Sequence, residues 1–113
     1  MKELYAQGDL LIERVNDTCA RKAPQVTDCS VVLAEGELTG HHHTALGRIA
    51  FFRDDGLARD IPGGLYIGHM KIDAPSARVV HQEHAAIDLP TGTYRVRRQR
   101  ELDPEDAVRI VRD

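Results

Sequence analysis

Short apolar segments broken by turn residues at about 8–12-residue intervals constrain this chain more than any other feature, because that rhythm belongs to sandwiches and barrels of antiparallel strands. The segments fall at residues 9–15, 30–35, 38–43, 48–53, 65–72, 78–84, 87–89 and 93–98. Between them lie Asn16-Asp17, Gly36, Gly47, Asp54-Asp55-Gly56, Ile61-Pro62-Gly63-Gly64, Asp73-Ala74-Pro75-Ser76 and Pro90-Thr91-Gly92. Asp55-Gly56 predicts a tight hairpin turn, since Asp-Gly supplies the positive φ angles such turns need. Residues 18–28 contain Pro24, lack periodicity and read as a loop. Asp103-Pro104-Glu105-Asp106 has the cap, proline and acids of a helix start, whereas residues 107–112 are rich in β-branched types. The prediction is an all-β fold: a small single-domain barrel or sandwich of about 7–9 short strands over residues 1–113, with one helical turn near 103–107.

With 113 residues, 42% apolar and without tryptophan, the chain supports one modest core built from Val, Ile, Leu and Ala. A net charge of −3 argues against a general nucleic-acid binder. No apolar run approaches the roughly 20 residues of a membrane span, and no cleavable leader is evident, so a cytoplasmic protein is expected. Cys19 and Cys29 form no C-x-x-C motif and read as free thiols, one or both buried.

Five of the six histidines fall in two short segments. In a strand, His41 and His43 share one face and His42 the other. Two imidazoles at i and i+2 suit a shared divalent ion (Zn, or Fe, Mn or Ni). In His81-Gln82-Glu83-His84, alternation sets His81 and His84 on opposite faces, so a bulge or a strand ending by Gln82 must bring them together. The expected ligands are His41, His43, His81 and His84, with Glu83 as a fourth ligand or a general base on metal-bound water. His69 reads as an ordinary sheet histidine.

An H-x-H pair followed by a later histidine resembles the cupins, metal-holding β-barrels, and Gly56, Pro62 and Gly64 match their G-x5-P-x-G motif. The resemblance implies a metal held by His41, His43 and His81 or His84. It breaks where the cupin glutamate should follow the pair, because Leu46-Gly47-Arg48 stands there, and the family is not assigned.

Residues 93–101 carry four arginines. Tyr94 and Val96 are expected to face the core, leaving Arg95, Arg97 and Gln99 on the outer face, either to hold phosphate or to pair with nearby acids. Three functional classes follow. The first is a metal-binding β-domain with hydrolase or lyase chemistry on a small-molecule or phosphate-bearing substrate. The second is a metal-independent phosphodiesterase or ribonuclease, with paired histidines as acid and base and a local arginine patch on RNA. The third is a non-catalytic ligand- or protein-binding module. Exposed edge strands would also allow a homo-oligomer.

Overall fold

A computed structural model describes residues 3–36 and 40–99, the side chain of residue 74 apart. The expected helical turn near 103–107 and the β-branched residues 107–112 lie outside the described residues. The described residues form six strands: β1 (Leu4–Gln7), β2 (Leu10–Val15), β3 (Thr27–Glu35), β4 (His42–Phe52), β5 (Tyr66–Val80) and β6 (Ile87–Arg98). They form one antiparallel sheet in the order β1-β2-β6-β5-β4-β3. The all-β expectation holds.

Several segments that read separately in sequence are halves of one bent strand. β5 runs for 15 residues through Asp73-Ala74-Pro75-Ser76, with register shifts at Tyr66/Gly68 and Ile72/Ser76. β4 continues through Gly47, where the register also shifts. Gly47 adopts φ +136°, and a Cβ there would lie 2.9 Å from the carbonyl oxygen of Ser76, so the two backbones meet at this bend because glycine has no side chain. These bends coil the sheet into a small barrel. The turn between β1 and β2 closes it by packing on the start of β4 and on the connection between β5 and β6.

Alternation then decides what lies inside. Leu10 and Ile12 of β2, Ile49 of β4, Met70, Ile72 and Val79 of β5, and Leu89, Tyr94 and Val96 of β6 are almost fully buried in one cluster. Each such aliphatic side chain contributes about 1.5–3 kcal/mol on leaving water. Tyr94 keeps its hydroxyl satisfied by donating to the Pro90 carbonyl at 2.8 Å.

Three expectations change. Residues 18–28 are not all loop: Asn16 caps a 3-10 turn over Asp17–Ala20 by accepting from the Thr18 N–H, and β3 already begins at Thr27. Asp55-Gly56 does not close a hairpin, since Gly56 lacks a positive φ and sits in a second 3-10 turn, Asp55–Leu57. The chain from 53 to 65 instead folds back over the outer face, burying Ala58 and Ile61 and setting the Leu57 carbonyl and Asp60 on Arg95. Arg95, expected on an open outer face, lies beneath this loop with its side chain only 13% exposed. Cys19 and Cys29 are unpaired, and both are half-buried. No helix among the described residues is long and apolar enough to cross a membrane.

Candidate functional site

The histidines meet at one mouth of the barrel. His43 and Ala45 lie on the inward face of β4, which carries His43 to 4% exposure. β5 ends at Val80, and the bend over residues 82–84 turns the chain back, so His81 and His84 come together without a bulge between them. Ring centroids are 4.4 Å apart for His43 and His81, 4.7 Å for His81 and His84, 5.7 Å for His41 and His81, and 6.4 Å for His43 and His84. All four predicted histidines therefore belong to one cluster. His42 points away: its ring approaches the Gly40 carbonyl, and its backbone N–H donates to Gln82. His69 lies outside the cluster, fully buried, with Nδ1 2.6 Å from the Tyr66 hydroxyl.

Gln7, Gly8 and Asp9 complete the site. The Gln7 amide nitrogen donates to the carbonyls of Val79 and Ala85 at 3.1 and 2.8 Å, which fixes the amide orientation. Its oxygen must then face His43 Nδ1, 2.8 Å away. Burial pushes the His43 pKa down to about 4, with His81 acting in the same direction and Asp9 opposing it, so the ring is neutral at neutral pH. A neutral ring has one proton. Placing it on Nδ1 satisfies a buried 2.8 Å bond, whereas placing it on Nε2 would satisfy only a 3.5 Å contact to the half-exposed Asp9 carboxylate. The hydrogen-bond network thus assigns the proton to Nδ1 and leaves the Nε2 lone pair facing Asp9 Oδ1.

Glu83 plays a related part for His41. Its carboxylate oxygen lies 3.2 Å from His41 Nδ1, which favours a proton there and an unprotonated Nε2 in the neutral ring. His81 is the opposite tautomer: its Nδ1 accepts from the Glu83 backbone N–H at 3.0 Å, so its ring proton sits on Nε2. Gly8, at φ +58°, allows the closest approach in the cluster. A Cβ on it would lie 2.7 Å from His84 Nε2. Arg98 donates to Asp9 Oδ2 at 2.9 Å and to the Glu35 carbonyl at 3.0 Å.

The predicted arginine row is divided. Arg95 is held by Glu13, Asp60 and the Leu57 carbonyl, each within about 3 Å, and is committed to the loop. Arg97 Nε donates to the Arg98 carbonyl, and the Gln99 amide donates to the Gly8 carbonyl at 3.4 Å. Gln99 therefore adjoins the histidine cluster, and Arg98 is the arginine beside it. Gln7, Asp9 and Arg98 were not singled out from sequence. Gln7 gave no local signal, since its partners lie 36 to 78 positions away.

Among the described residues, no set of three or more His, Cys, Asp or Glu side chains is already arranged to ligate a metal ion. The fold and site define a small all-β barrel with a four-histidine mouth backed by a glutamine and flanked by two carboxylates. The chain belongs to the family described as "Domain of unknown function (DUF8820)", whose model matches residues 6–99. No curated protein and no solved structure matches it.

Proposed function

We propose that the histidine mouth binds a divalent transition-metal ion, with His41 and His43 as ligands through Nε2. One observation carries the reading: a neutral His43 aims its Nε2 lone pair at the Asp9 carboxylate across 3.5 Å. A lone pair and an anionic oxygen repel unless a cation lies between them. Two ligands on a tetrahedral ion with bonds of 2.0–2.1 Å stand about 3.4 Å apart, close to the distance found. An acceptor held against Nδ1 is also the usual outer-shell support of a ligating histidine, here Gln7 for His43 and Glu83 for His41.

In this reading Asp9 Oδ1 is a ligand from where it stands, and His84 supplies a further nitrogen. Zinc suits an imidazole and carboxylate set. Its Lewis acidity would support hydrolysis or lyase chemistry. Glu83 is an orienting carboxylate for His41 rather than a ligand. The half-buried free thiols Cys19 and Cys29 support a reducing, cytoplasmic setting.

Metal analysis of tag-free protein tests the reading. One equivalent of metal that is lost in His43→Gln supports it, and metal-free protein that takes up none on titration refutes it.

A second reading rests on the opposite tautomers of His43 and His81. One ring offers an acceptor and the other a donor, as metal-independent phosphodiester cleavage requires. RNA cleavage that persists in EDTA and is lost in His81→Ala would establish it in place of the first. Arg95, tied to Glu13 and Asp60, has no part in either reading.

A further inference from the structure

The loop over residues 53–65 encloses a second polar cluster, separate from the histidine mouth. Glu13 and His69 are both register partners of Arg95, so the three side chains stand side by side on the outer face of β2, β6 and β5. His69 is fully buried, and the Arg95 and Glu13 side chains are 13% and 24% exposed. Arg95 spends both terminal nitrogens on Glu13 Oε2, Asp60 and the Leu57 carbonyl. Three atoms of the cluster are buried without a hydrogen-bond partner: Glu13 Oε1, Arg95 Nε and His69 Nε2.

Their chemistry is complementary to one small molecule. The Tyr66 hydroxyl accepts from the Asp54 N–H, and its own proton has His69 Nδ1 as acceptor at 2.6 Å. His69 therefore carries its ring proton on Nε2. Two unpaired donors and one unpaired acceptor then lie on neighbouring side chains.

We infer that Glu13, Arg95 and His69 form a binding site for one internal water, enclosed by the 53–65 loop. Water accepts from His69 Nε2–H and Arg95 Nε–H and donates to Glu13 Oε1, which satisfies all three groups. An ion does not fit. The guanidinium is already balanced by Glu13 and Asp60, so an added anion meets two carboxylates and an added cation meets Arg95. The water ties β2, β5 and β6 together beneath Leu57, whose carbonyl holds Arg95 from above.

A crystal structure of the full chain, at a resolution that defines ordered solvent, tests the site. The expected result is a single water within hydrogen-bonding distance of all three atoms. In solution, the His69 Hε2 proton should show a nuclear Overhauser contact to a long-lived water. The inference is overturned if the three atoms pair with one another or with other side chains, or if the space between them is dry. It is also overturned if His69 Hε2 shows no contact to a long-lived water. Because both measurements use the unsubstituted protein, neither depends on a variant that folds.

Discussion

Gln7 and His43, one at the end of β1 and the other near the start of β4, are locked together at 2.8 Å, and that bond decides which nitrogen of His43 faces the mouth of the barrel. Replacing Gln7 by Ala removes the acceptor and frees the buried Val79 carbonyl and the Ala85 carbonyl as well as the imidazole. A loss of about 1–3 kcal/mol in stability is expected from the unsatisfied groups. Zinc affinity should fall about 10–100-fold, as it does when the outer-shell partner of a ligating histidine is removed. Urea unfolding and calorimetric titration read the two effects separately.

Acid should destabilise the metal-free protein well before its carboxylates are protonated. His43 is held near pKa 4 in the folded chain, mainly by burial, against 6.5 for an ordinary histidine. The unfolded chain therefore binds more protons between these values, and stability falls as pH drops from about 6.5 toward 4. The full difference is about 3 kcal/mol at 1.36 kcal/mol per unit. His69 is also shifted down by burial and adds in the same direction. Urea midpoints in EDTA at pH 7 and pH 5 measure the slope, which His43→Gln should flatten.

Gly8→Ala tests the closeness of the mouth. Its φ of +58° costs an alanine about 1 kcal/mol, and the new methyl would stand 2.7 Å from His84 Nε2. The variant should fold with reduced stability and with the His84 ring resonances shifted more than those of His69.

Arg95 and Arg97 should separate sharply. Arg95→Met leaves the Glu13 carboxylate buried without its cation, at a cost of about 3–5 kcal/mol. Arg97→Met loses one contact to its neighbour's carbonyl and should stay within about 0.5 kcal/mol of the parent. Thermal unfolding of both variants checks the contrast.

What could be read in sequence was the part governed by local chemistry. Alternation placed Tyr94 and Val96 inside, His42 away from His43, and Arg95 on the face opposite the core. The turn at the end of β5 was legible as the condition that joins His81 to His84. Gln7 and Asp9 were not legible, because only coiling of the sheet brings the β1–β2 turn onto β4. The cover over Arg95 was hidden for a similar reason. Asp55-Gly56 looks like a hairpin turn locally, yet the segment buries Ala58 and Ile61 and lies over Arg95 instead.

Titration of zinc into tag-free, chelator-treated protein bears most directly on the proposed site. The account predicts saturable binding of one equivalent, abolished in His43→Gln and in His41→Ala, the latter at a ring near the rim where folding is little affected. Absence of saturable binding in the parent protein, or binding unchanged in both variants, would contradict it.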